Sequence, residues 1–121
     1  MNNEGIRAAL KKWRISRSAA ELEHGPISTW DTQYVTDMSG LFQYRRDFNE
    51  DISGWNVANV TTTERMFYDA FSFNQPLEQW NVANVTIMQD MFNGARAFNQ
   101  PLEQWSREYK YQCKSIVDSS V

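Results

Sequence analysis

The sequence predicts an α/β repeat protein, a solenoid of short parallel strands and short helices with a helical cap at its start. Three observations predict it. Trp30, Trp55, Trp80 and Trp105 recur every 25 residues, and columns Phe42, Phe67, Phe92 and Phe48, Phe73, Phe98 recur with them. Residues 55–79 match residues 80–104 at 17 of 25 positions without a gap, and residues 30–54 match the same unit at 8 of 25. Within each unit the apolar period switches from 2 to 3.6. A fixed period in this range means that a unit buries its apolar side only by stacking on its neighbours. The chain divides into a cap at residues 1–26, the solenoid at 27–105, and a divergent closing segment and tail at 106–121.

In the cap, residues 3–14 read as an amphipathic helix with Ile6, Leu10 and Trp13 on one face and Arg7, Lys11, Lys12 and Arg14 on the other. A second short helix follows, with Ser18 and Glu21 as a capping box and Leu22 as an inward contact. Gly25 stands at its C-terminal cap, and Pro26 stops its continuation. In the repeat, residues 79–83 alternate as a strand, with Trp80 and Val82 inward and Gln79, Asn81 and Ala83 outward. Met88, Met91, Phe92 and Ala95 then recur at helical spacing. Thr86 with Gln89, and Thr61 with Glu64, have capping-box spacing, so each helix is expected to start just after its Thr. Asn99 is expected to satisfy backbone groups in the return turn, and Pro101 to block helix before the next strand. After Trp105, residues 107–117 read as a closing strand: Tyr109, Tyr111 and Cys113 alternate with Lys110, Gln112 and Lys114.

The spacing Leu77-x-x-Trp80-x-Val82-x-x-Val85 is that of the strand segment of a leucine-rich repeat. Together, FNQPLEQWNVANVT (residues 73–86), Met88, Met91, Phe92 and Ala95 resemble the BspA-like class of leucine-rich repeats, known from bacterial surface lipoproteins. The lead-in GPISTWDTQYVTDMSGLF, residues 25–42, resembles the first unit of members of that class. The resemblance covers roughly residues 6–105 and implies a right-handed solenoid with a surface or interaction role. It implies no enzymatic activity and supplies no catalytic residues. The chain departs from the class in showing no secretion signal or lipobox, and in a tail unlike the repeat.

Composition narrows the chemistry. Residues 1–17 carry five Lys/Arg against Glu4, a net of +4; residues 18–121 carry seven against fourteen Asp/Glu, a net of −7. An acidic body argues against nucleic-acid binding. No apolar run approaches membrane-spanning length, so no membrane insertion is expected. The expected location is the cytoplasm by default, or the cell surface if an upstream signal belongs to the protein. Cys113 is single, so no intramolecular disulfide and no cysteine-based metal site is expected. His24, the one histidine, reads as a turn residue, and Asp47, Glu50 and Asp51 lack the spacing of a calcium loop. No catalytic residue, cofactor or metal is expected. Asn59-Val60-Thr61 and Asn84-Val85-Thr86 have the N-glycosylation pattern but fall where the fold needs a turn and a cap. The basic face of the first helix reads as solvated, with contact to an acidic partner or a membrane surface as the other reading.

What remains is the outward strand face, with Thr29, Asp31, Gln33, Asn56, Gln79, Asn81 and Gln104 as the candidate partner-binding residues. On a parallel sheet these would form a flat polar surface of the kind repeat proteins use for protein partners. The column of Asp31, Asn56 and Asn81 reads equally well as a binding face or as a hydrogen-bonded ladder. The expected function is that of a non-catalytic scaffold for protein–protein interaction. The alternatives are a surface adhesin fragment of the same fold and, last, an enzyme. A weak homodimer through the C-terminal coil is also expected, because few apolar residues follow Trp105 to cover it.

Overall fold

Helix α1, Asn3–Ile15, opens the chain because its ends are well supplied. The Asn2 side chain accepts from the Gly5 N–H, Glu4 lies in the first turn, and Lys12 and Arg14 lie in the last. The computed structural model describes residues 1–106, 109, 112 and 113. Ile6, Ala9 and Leu10 of α1 are buried, and Trp13 packs against the core. One residue, Ser16, then serves two helices. Its N–H donates to Lys12 O, closing α1, and its side chain accepts from the Ala19 N–H, opening α2, Arg17–His24. The expected capping box at Ser18 and Glu21 therefore does not form, and the N-cap lies two residues earlier at Ser16. The expected inward contact of Leu22 is also reversed: Leu22 is 90% exposed, and Ala20 is the buried residue of α2. Gly25 closes α2 at φ 79°, a left-handed conformation that glycine adopts without steric cost, with its N–H on Glu21 O.

The predicted leucine-rich-repeat-like solenoid of parallel strands and short helices does not form. Among the described residues, regular structure is confined to α1, α2, a 3-10 turn at Ile27–Thr29 and the helical residues Tyr109, Gln112 and Cys113, and there is no strand or sheet. Parallel pairing shrinks to two isolated bridges, Asp37 to Thr62 and Thr62 to Ile87. The segments predicted as helices are chains of turns. In residues 63–70, Met66, Tyr68 and Ala70 N–H groups bond three residues back, to Thr63, Arg65 and Phe67 O. The intervening N–H groups leave the unit instead. Thr63, Arg65, Phe67 and Asp69 donate to Ile87, Gln89, Met91 and Asn93 O at 2.7 to 3.1 Å. Met38, Gly40, Phe42 and Tyr44 do the same to Thr62, Glu64, Met66 and Tyr68 O at 2.8 to 3.0 Å.

Left-handed residues make this alternation possible. Gly40, Arg65 and Asp90 form one column with φ of 61°, 55° and 59°, and Tyr44, Asp69 and Gly94 form another with φ of 65°, 57° and 79°. Two such residues per unit break any helix and turn alternate amides toward the neighbouring unit. A helix would have satisfied its amides internally and left the units joined by side chains alone. The turns also leave the apolar positions inward: Met88, Met91, Phe92 and Ala95 are all buried.

Side chains complete the stacking. Phe42, Phe67 and Phe92 lie parallel at 5.6 and 5.5 Å, and Phe48, Phe73 and Phe98 at 5.8 and 6.0 Å. Within each unit the two rings meet at 4.1 Å. Trp55 and Trp80 are buried and donate through Nε1 to Ile27 and Ile52 O, each 28 residues back. The Asn column acts between units rather than within its own return turn, where Asn99 was expected to serve. Asn74 and Asn99 N–H groups donate to Asn49 and Asn74 Oδ1 at 2.8 and 2.9 Å, tying the units edge to edge.

The ends of the stack are closed by side chains standing where backbone would be. Thr61 and Thr86 N–H donate to Thr36 and Thr61 O, each one unit back. Thr36 has no preceding unit, and its N–H donates to Asn3 Oδ1 at 2.8 Å, which Asp37 N–H also reaches at 3.1 Å. On the same edge Arg7 donates to Ser39 O at 2.9 Å and Asp37 O at 3.4 Å, whose counterparts Glu64 and Thr62 O accept backbone amides. At the other end Met88 N–H donates to Gln112 Oε1, 24 residues on, the same offset by which Met38 reaches Thr62 O. Tyr109, Gln112 and Cys113 are helical, which corrects the expected closing strand. Lys110, Tyr111 and Lys114, on which that strand relied, lie outside the described residues, as does most of the segment after Trp105 on which the expected C-terminal dimer rested. Among the described residues no helix is long and apolar enough to cross a membrane.

Candidate functional site

The residues of the expected binding face are found at the surface, on turns rather than on a sheet. Thr29, Asp31, Asn56, Gln79, Asn81 and Gln104 are exposed and Gln33 is half-buried. The Asp31, Asn56 and Asn81 column is exposed and is not a ladder between units. Each Oδ1 accepts from the N–H two residues on, at Gln33, Ala58 and Ala83, at 3.0 to 3.1 Å. This turn is local, and it holds the side chain still. Thr29 is likewise engaged, its hydroxyl donating to Pro26 O at 2.7 Å. Gln79, Asn81 and Gln104 are brought together and line a groove of about 480 Å³ with Glu78 and Tyr109. Thr29, Asp31, Gln33 and Asn56 lie outside that groove.

The two glycosylation-pattern asparagines have a different task. Asn59 and Asn84 Nδ2 donate to Gln33 and Ala58 O, each in the preceding unit, at 2.7 Å. A glycan on either nitrogen would break a bond between units.

A second concavity, of about 440 Å³, lies between the helical pair and the first unit. It exists because the first unit has no unit before it. Phe67 and Phe73 are covered by Phe42 and Phe48, whereas Phe48 is met by the edge of Trp13 at 6.0 Å, across a gap that α1 does not fill. Leu10, Trp13, Phe42 and Phe48 form its apolar wall, and Arg14, Arg17, Arg45 and Arg46 its charged wall, with Asp47 beside them. These guanidiniums are not equivalent. Arg17 is paired with Glu21 at 2.9 Å and Glu50 at 2.8 Å and lies over the Trp13 ring. The hydrogen bond that Arg17 donates to Glu21 leads the causes that raise its pKa. Arg46 lies over Phe71. Arg14 and Arg45 form no salt bridge among the described residues. Burial first, and then the Arg14 charge, hold the Arg45 pKa below its ordinary value, with Asp47 opposing.

In the sequence Arg14 belongs to a basic face that reads as solvated, and Arg45 is not singled out. The signal was there. Arg45 occupies the column of Ala70 and Ala95, which are 0% and 1% exposed, so it breaks a position that the other units fill with a buried methyl.

The remaining chemistry is spoken for. His24 meets the Trp30 ring edge-on at 5.8 Å. Burial pushes the Cys113 thiol up to about 12, so it stays protonated at neutral pH. Glu50 pairs with Arg17, and Asp51 accepts from Ser53, which lowers its pKa. Among the described residues no group of His, Cys, Asp and Glu side chains is placed to hold a metal ion.

Residues 8–120 match the family described as Mycoplasma protein of unknown function, DUF285. The chain belongs to that family. The DUF285 match runs from within α1 through all the stacked units, so it takes in the cleft and the polar columns together. No curated protein matches the chain, and no solved structure matches it.

Proposed function

We propose that the chain is a non-catalytic binding module that holds a protein partner along the exposed polar columns of its stacked units. The observation that carries this reading is the fixed turn at Asn56 and Asn81. Each spends Oδ1 on its own backbone, leaving Nδ2 without a partner among the described residues, on an exposed side chain held at the 25-residue repeat. Pre-oriented donors at regular spacing suit the carbonyls of an extended peptide, because little side-chain entropy is lost on binding. The groove lined by Gln79, Asn81 and Gln104 supplies the concave end of such a track. The resemblance of the repeat to the BspA-like class, with its surface and interaction roles, points the same way.

Affinity capture tests it, with the intact chain compared against Gln79→Ala/Asn81→Gly/Gln104→Ala. Glycine at 81 keeps a turn former while removing the Nδ2 donor. The reading expects a partner retained by the intact chain and lost by the triple variant at unchanged melting temperature. Equal retention by both removes the polar columns from the binding site.

A further inference from the structure

We propose that the cleft between α1 and the first unit is a second recognition site, one that seats a carboxylate side chain of a protein partner next to an apolar residue. The carboxylate would lie on the guanidiniums of Arg14 and Arg45, and its apolar neighbour against Trp13 and Phe48. This rests on the reading of the chain as a protein-binding module, but it uses a different face.

The first support is what the fold does not need. The column of Arg45 is alanine in the next two units, buried in both, so packing gives no reason for a guanidinium there. Its presence is unfavourable in isolation. Arg45 is partly buried, faces the like charge of Arg14, and has no ion pair among the described residues. A half-buried charge without a partner is a liability to the free protein and an attraction to an incoming anion. Arg17 is not in that position, because Glu21 and Glu50 already neutralise it.

The second support is the wall opposite. The cleft places aromatic and aliphatic surface beside the Arg14 and Arg45 guanidiniums, and the buried Nε1 of Trp13 has no hydrogen-bond partner among the described residues. A volume of about 440 Å³ holds a pair of side chains. Guanidinium forks match the planar carboxylate in two parallel hydrogen bonds. The choice of a single carboxylate over a polyanion follows from charge. Asp47 stands in the cleft wall, and residues 18–121 carry fourteen Asp/Glu against seven Lys/Arg, so an extended phosphate chain or an anionic membrane meets repulsion beyond the cleft.

The test is nuclear magnetic resonance titration of the full chain, following the arginine Nε–H groups and the indole N–H of Trp13. The probes are acetyl-phenylalanyl-glutamate amide, its glutamine isostere, inorganic phosphate, and vesicles containing phosphatidylserine. The expected result is saturable shifts at Arg14, Arg45 and Trp13 with the glutamate probe at about millimolar concentration, and binding of the isostere weaker by about tenfold. Arg45→Ala should weaken the glutamate probe by a similar factor and melt no lower than the parent, since alanine is the residue the other units carry. Arg14→Gln should weaken it without that change of column. Absence of saturation overturns the proposal. So does preference for phosphate or vesicles, binding indifferent to Arg45→Ala, or loss of folding in that variant, which would make the guanidinium structural. Failure of the polar-column reading shows separately, as capture unaffected by the triple variant, because that variant leaves the cleft intact.

Discussion

The contact between one unit and the next and the contact between α1 and the first unit solve the same problem with different materials. Between units, backbone bonds backbone at a constant offset: Thr61 N–H to Thr36 O, Thr86 N–H to Thr61 O. Against α1, the same edge is met by an amide and a guanidinium, Asn3 accepting from Thr36 and Asp37 and Arg7 donating to Asp37 and Ser39. The difference teaches that a stack of turns has no intrinsic end. A helix has already used its backbone groups internally, so it can close such an edge only through side chains, and only at the points those side chains reach. Where they do not reach, the cleft opens.

The largest effect that tests this comparison comes from removing the closing element. Deleting residues 1–24 strips the side-chain partners from the edge at 36–39 and uncovers Phe42 and Phe48. Loss of a cooperative unfolding transition, or aggregation, is expected by calorimetry and light scattering. A monomeric deletion variant that melts like the parent would show that the units end without help.

Within the stack, Phe67→Ala removes a ring that meets Phe42, Phe92 and Phe73 at once. Its cost should be about 3–5 kcal/mol in denaturant titration, as for other large-to-small changes in a packed core. A smaller change, below about 1 kcal/mol, would show that backbone bonds rather than rings hold the units together.

The closing side chains should matter less, because they lie near solvent and water can replace them. Asn3→Ala is expected to cost about 1 kcal/mol. Asn3→Asp, which keeps an acceptor for Thr36 and Asp37 N–H, should recover most of that loss. Equal destabilisation by both would show that Asn3 acts through its Nδ2 bond to Thr36 Oγ1 instead.

The smallest expected effect is a pH dependence confined to the same edge. Burial alone would raise the Asp37 carboxyl, but the Ser39 hydroxyl and N–H, with Arg7, bring it below its ordinary value. A depressed native value means that the unfolded chain takes up the proton first. The contribution is therefore fully present above the ordinary aspartate range of about 4 and is lost as pH falls through the native value. Melting temperature should decline over that acid interval, and Asp37→Asn should flatten part of the decline. An unchanged slope would remove Asp37 from the coupling between α1 and the first unit.

The 25-residue unit, the helical start and the inward side chains of the repeat were legible in the sequence, whereas the inward contact of α2 was not. Trp80, Val82, Met88, Met91, Phe92 and Phe98 are all buried, as their columns predict. The sequence also located the exposed columns at Asn56, Gln79, Asn81 and Gln104. The backbone path between those positions was settled by packing between units. Inward side chains at i, i+3, i+4 and i+7 are shared by a helix and by a run of turns with a left-handed residue at every fourth position. Tyr44 and Arg65 adopt that conformation although nothing in their residue type asks for it. The choice goes to the turns because their alternate amides find carbonyls in the neighbouring unit, a partner that no local pattern can report. The cleft was out of reach for the same reason. Arg45 was visible as a broken column, but its meeting with Arg14 and Trp13 depends on where α1 lands across the first unit.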